Sequence, residues 1–154
     1  MLLESVAVRT FVPILLRFAL AAVFIYHGLE KVTPDNNYGS NWMKPPDASK
    51  QPPDAPAPKT LPAVLQLAVG WGELLGGAAC ALGLFTRAAA LGLAAIMVGA
   101  IVTVTGQQGF SLMKGGFEYN LVLILVCASV VLLGPGTVSL DRVIKIKMRG
   151  PATY

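Results

Sequence analysis

The chain has 154 residues, 55% of them hydrophobic and 13% charged, with a formal net charge of +4. A soluble domain of this size carries about a quarter charged residues, so the composition excludes an ordinary water-soluble globule and places one domain in lipid. The basic excess gathers in Arg142, Lys145, Lys147 and Arg149, just after an apolar segment; that suits anionic lipid, and no aromatic-interleaved basic patch argues for DNA or RNA.

A helix needs about 20 apolar residues to cross a hydrocarbon core of about 30 Å. Four segments meet or approach that length, at about 10–32, 61–85, 88–106 and 117–134. The expected fold is therefore all-α, an integral membrane four-helix bundle. The first span ends in HGLEKV rather than in small residues suited to cleavage, so it is expected to be retained and not removed as a signal peptide. Residues 33–60 follow, holding Pro34, Pro45, Pro46, Pro52, Pro53, Pro56 and Pro58. So many prolines exclude a regular helix or central strand and favour an extended polyproline II strap. A loop of this length is either a docking segment or lid, or disordered.

The second span carries one charge, Glu73, and the third carries none. Little more than Thr86 and Arg87 joins them, which predicts an antiparallel helical hairpin. The fourth opens on Glu118 and Asn120, and Gly134, Pro135 and Gly136 end it. Ser139 is placed to cap a short basic amphipathic segment, SLDRVIKIK, within a tail at 137–154. Arg9, Arg87 and the basic tail fall on one side, and Lys44, Lys50, Lys59 and Lys114 on the other. That bias predicts both termini in the cytoplasm with the Pro-rich loop outside; the membrane expected is a bacterial inner membrane.

Small residues let helices approach in lipid. Gly70, Gly72, Gly76 and Gly77 of the second span, with Ala88, Gly92, Ala95 and Gly99 of the third, predict close packing of the hairpin. An oligomer seam is the alternative. Cys80 and Cys127 lie inside apolar runs and form no CxxC pair, so both read as buried small residues without thiol-exchange chemistry.

On a helix, Arg17, Phe24, Gly28 and Lys31 share one stripe, with His27 on its shoulder. Each intramembrane charge alone costs about 3 kcal/mol on insertion scales. Their depths predict that Arg17 meets Glu73, directly or through a bridge; the alternative is a protonated, neutral Glu73. At the other end, His27 and Lys31 reach the level of Glu118, Tyr119 and Asn120. A polar pocket is expected there, with Tyr26 and Tyr119 as walls and Trp71 a little deeper. The candidate residues are thus Arg17, Tyr26, His27, Lys31, Trp71, Glu73, Glu118 and Tyr119. The plainer reading is a buried network that only fixes helix order.

No metal is assigned to that pocket. The chain has one histidine, so it cannot supply two axial histidines, and a di-iron bundle wants two Glu-x-x-His motifs. A quinone asks less, a donor or two such as His27 or Lys31 and an apolar trough for its tail. No G-x-G-x-x-G, P-loop or nucleophile elbow supports nucleotide chemistry or hydrolysis.

FxxHGLxK at the end of span one, GxGELLGGxxxxLGLFTRxAAL across the hairpin, FEYNLxL opening span four and GPGTVSLDRVI after it form an ordered set. Together these motifs resemble the DoxX family over nearly the whole chain apart from 33–60, where the insert is longer than that family's short first loop. The resemblance implies a four-helix membrane protein, often a small subunit beside redox partners. The associations it brings are thiosulfate:quinone oxidoreductase, terminal quinol oxidase assemblies and a membrane oxidoreductase complex with superoxide dismutase. Motif membership, and no established role, carries over to Arg17, His27, Gly28, Lys31, Glu73, Arg87, Glu118 and Asp141.

The leading expectation is a membrane subunit of a respiratory-type oxidoreductase assembly that helps form a quinone site. It has no intrinsic cofactor and no independent activity, and its partners are lipid and other membrane subunits, a second copy of itself among the options. The alternative is a structural or assembly subunit that docks a larger complex through its Pro-rich loop. A small-solute transporter is a third reading, and four spans without a broken-helix repeat speak against it.

Overall fold

The computed structural model describes residues 7–44 and 60–149, which form helices and turns and no strand. Helix α1 is Val12–Val32, with Pro13 in its first turn, where a missing N–H leaves no bond unmade. A wider π-type turn, Ala7–Phe11, leads into it. Helix α2 is Ala63–Leu82 and α3 is Thr86–Ala100, the latter running on through a π-type turn at Ile101–Thr105. Helix α4 is Glu118–Leu133 and α5 is Leu140–Arg149. With their extensions, α1, α2 and α3 are long and apolar enough to cross a membrane, and α4 is a shorter apolar helix of 16 residues. The architecture is the expected all-α membrane bundle.

The hairpin turn falls earlier than the sequence suggested. It is made by Gly83–Phe85, while Thr86 and Arg87 already open α3. Gly83 sits at φ 68°, and a Cβ there would lie 2.6 Å from the Arg17 guanidinium, so both backbone and space call for glycine. The loop after α1 also differs from a uniform strap. Pro34–Gly39 forms tight 3₁₀ turns, held where Asn36 Nδ2 donates to the Glu30 carbonyl at 2.7 Å. The polyproline II expectation for 45–59 lies outside the described residues, as does the end of the tail.

Helices α1 and α2 pack antiparallel at very short range, and α3 pairs closely with α4. Glycines set the first contact: Gly28 lies on the Leu74 backbone and Gly77 on the backbone of Ile25. Gly72 and Gly76 instead face Ile96 and Leu93 of α3. The expected ladder on α3 is not in this seam. Ala88, Gly92, Ala95 and Gly99 are exposed, and a Cβ on Gly92 or Gly99 would meet nothing within 4 Å. The reason is volume: α3 turns Leu93 and Ile96 onto the bare faces of Gly76 and Gly72 of α2, which leaves its own small residues outside.

Leu20, Phe24, Cys80, Leu93, Cys127 and Val130 anchor the core. They fill the half of the bundle nearest the hairpin turn. In the other half α2 turns Gln66, Gly70 and Glu73 inward, and α3 offers small residues and a widened turn. The space there is not filled.

Candidate functional site

Helix α1 carries a buried cation, Arg17, toward one end and a part-buried one, Lys31, at the other, and the two have different surroundings. Arg17, 3% exposed, donates from Nε to the Cys80 carbonyl (2.8 Å) and from Nη2 to that of Ala81 (2.8 Å). Its Nη1 donates to the carbonyls of Pro135 (2.8 Å) and Val138 (2.7 Å). The first two oxygens belong to the last turn of α2, where the dipole is negative; that of Cys80 also accepts from Gly83 N at 3.2 Å. Asp141 completes this end. Its Oδ1 accepts from Phe85 N (2.7 Å), and its Oδ2 from Thr86 N (2.9 Å) and the Thr86 hydroxyl (2.8 Å), so it caps α3 from another helix. Ser139 caps α5 in turn, accepting from Arg142 N at 3.3 Å.

The other end has a cavity. Lys31, in the last turn of α1, donates from Nζ to Glu73 Oε2. The Glu73 side chain is 4% exposed and that of Lys31 19%. The bare face of Gly70 lets the lysine stem lie on α2, since a Cβ there would approach Lys31 Cβ to 3.2 Å. Trp42 covers the pair, with its ring centroid 5.0 Å from Lys31 Nζ. Gln66 holds that lid: its carbonyl accepts from Trp42 Nε1 (2.8 Å) and its Oε1 from Met43 N (2.8 Å). Its own amide donates to the Leu61 carbonyl at 2.8 Å, so both ends of the Pro-rich loop meet on one side chain.

Below the lid the cavity has a volume of about 570 Å³ and mostly apolar walls. Helices α1 and α2 supply Lys31, His27, Phe24 and Glu73. Across from them, the α3 extension and α4 supply Thr105, Tyr119, Asn120 and Leu123. The Thr105 hydroxyl donates to Asn120 Oδ1 at 3.2 Å, and Asn120 Nδ2 donates to Met97 Sδ at 3.4 Å.

The structure brings together Lys31, Glu73, His27 and Tyr119 of the expected set. The expected Arg17–Glu73 contact is absent: the guanidinium turns toward the nearer backbone carbonyls at the hairpin end. The helix register places Lys31 against Gly70, one turn from Glu73, and Glu73 pairs there. Tyr26 is 61% exposed on the outer face, edge-on to His27 at 5.3 Å, and is not in the wall of this cavity. Trp71 points out and donates to the Tyr38 carbonyl at 2.9 Å; the tryptophan at the site is Trp42. Glu118 accepts from Leu112 N at 3.0 Å and ties down the turn before α4.

The expected residue set omitted Trp42, Gln66, Asn120 and Thr105. Gln66 had a signal, because it stands seven residues before Glu73 on the same helical face of an otherwise apolar span. Asn120 had one too, as a polar side chain just inside the fourth span. Trp42 had none, since a loop has no periodicity to read. Among the described residues no group of three potential metal ligands comes together.

No curated protein and no solved structure is significantly similar to the chain. The family model for DoxX matches residues 12–106, from the first turn of α1 to the end of the widened turn of α3. The match covers well over half of the 154 residues, and the chain belongs to the DoxX family.

Proposed function

We propose that this membrane protein is a subunit of a quinone-linked oxidoreductase assembly, and that it holds a quinone head in the cavity beside Lys31 and Glu73. The observation that carries the reading is this ion pair, buried in a spanning bundle, roofed by Trp42 and facing an apolar space. Ionisable groups inside a membrane mark functional sites by default. The volume falls within the range of about 300–1,000 Å³ usual for small-molecule sites. The open ladder of Ala95 and Gly99 supports the subunit reading, because both are exposed residues lining the cavity, and a Cβ on Gly99 would meet nothing within 4 Å. A partner helix would complete that wall. Arg9, Arg87, Arg142, Lys145 and Lys147 lie at the Arg17 end and Lys44 and Lys114 at the other, which favours cytoplasmic termini in a bacterial inner membrane.

Titrating a decyl-substituted 1,4-benzoquinone into the purified protein in mild detergent tests the reading. Saturable binding is expected, weakened about tenfold or more by Lys31→Met, which removes the charged donor to the quinone carbonyl, since one charge-assisted bond is worth at least about 1.4 kcal/mol. No saturable binding, or equal binding by the variant, would overturn it.

A second reading has its own observation, the fixing of both loop ends on Gln66. It makes the chain an assembly subunit that presents residues 45–58 to a larger complex. Deleting those residues would release the partner recovered by gentle detergent extraction while leaving quinone binding intact.

A further inference from the structure

The polar atoms of the cavity are not gathered at one place. One group, Lys31 with Glu73 under Trp42, belongs to α1, α2 and the loop between them. The other, Asn120 with Thr105, belongs to α4 and the extension of α3. His27, Thr103 and Tyr119 also bring polar atoms to the cavity wall, and Phe24, Ile96 and Leu123 line it with none.

Asn120 is 8% exposed, so its amide depends on what the protein offers. Its oxygen accepts from Thr105, and its nitrogen is directed at the sulfur of Met97. A thioether is among the weakest acceptors a side chain provides. The amide nitrogen carries two N–H groups, and this sulfur is the acceptor found for them among the described residues. A carbonyl oxygen entering the cavity would thus exchange a poor partner for a good one. Lys31 is in a similar position: Glu73 takes one of its three N–H groups, and the Trp42 ring accepts none of them as a true hydrogen bond.

Two donors with bonds to spare, carried by different helices around one mostly apolar cavity, call for a flat ligand with an acceptor at each end. Resting on the quinone reading, we propose that Asn120 is the specificity-determining residue of this site. It takes the second carbonyl of a para-dicarbonyl ring whose first carbonyl meets Lys31. Each group also pairs its donor with an acceptor, Glu73 on one wall and the Thr105 hydroxyl on the other, so the reduced ring with two hydroxyls fits the same arrangement. Quinones with a single accessible carbonyl do not.

The test compares two ligands with the same tail, a decyl-substituted 1,4-benzoquinone and a decyl phenyl ketone, by equilibrium dialysis against the full-length protein in detergent. The wild type is expected to bind the dicarbonyl about tenfold more tightly, the worth of one added hydrogen bond. Asn120→Leu should abolish that preference while binding the ketone as before. Met97→Leu, which conserves volume and removes the competing acceptor, should raise affinity for the dicarbonyl alone. The proposal fails if the wild type binds both ligands equally, or if Asn120→Leu weakens both alike; in either case the quinone reading survives. Absence of saturable binding by either ligand sinks the reading and the proposal together.

Discussion

Arg17 and Lys31 stand on one face of one helix, and the bundle treats them differently. Arg17 spends its guanidinium on four backbone carbonyls from two separate chain segments. Lys31 has one carboxylate and one ring face. Arg17 commits four of its five N–H groups to joining pieces of structure, and it is not in the wall of the cavity. Lys31, partly satisfied and beside the cavity, has donors left for a ligand. Burial of charge alone therefore does not mark a binding site in this fold; what marks it is burial with donors to spare.

Removing Arg17 should give the largest effect. Arg17→Met leaves the carbonyls of Ala81, Pro135 and Val138 without this donor, while that of Cys80 keeps Gly83 N at 3.2 Å; the cost is about one to three kcal/mol for each buried acceptor that finds no water. The expected loss is on the order of 4 kcal/mol in mixed-micelle SDS unfolding. Arg17→Lys should recover only part of it, because an ammonium is a point donor without the planar fork. Equal stability of Arg17→Met and wild type would erase the distinction between the two ends.

The fold was legible because lipid imposes it: long apolar runs must become helices, and short connections must make them antiparallel. The polar partners were harder to read. Spacing along α1 correctly grouped Arg17, Phe24, Gly28 and Lys31 on the inward stripe, but the partner of each charge depends on helix register. That register is set by Gly28 on Leu74 and Gly77 on Ile25, contacts that no single helix displays. Carbonyl acceptors escaped notice for a similar reason, since every residue has one and only the structure says which are unpaired. The small-residue ladder of α3 was seen and assigned to the wrong neighbour, because a stripe shows what can pack closely and not what does.

A pair of glycine substitutions probes that register with a smaller effect. In Gly28→Ala the new Cβ would lie 2.5 Å from Leu74 N and 2.7 Å from its Cα, both backbone atoms that cannot step aside. Overpacking of this kind costs about 1–3 kcal/mol. Gly99→Ala meets nothing, and alanine in a helix is favoured over glycine by roughly 0.5–1 kcal/mol. The two should therefore move the unfolding midpoint in opposite directions. A loss of stability in Gly99→Ala when the protein is kept with its native partners, and a gain without them, would reveal a helix seated on the ladder.

The smallest expected change in stability comes from the double variant Lys31→Met with Glu73→Leu. Exchanging a buried ion pair for apolar side chains of similar volume is often neutral or mildly stabilising, because the desolvation of both charges disappears with their attraction. Trp42 keeps its bond to the Gln66 carbonyl, so the lid has a reason to stay. Unfolding should shift by less than about 1 kcal/mol while quinone binding is lost. A double variant as unstable as Arg17→Met would mean that the pair is a second clasp: the cavity would then be a gap that the clasp holds open, and the contrast between the two cations would vanish.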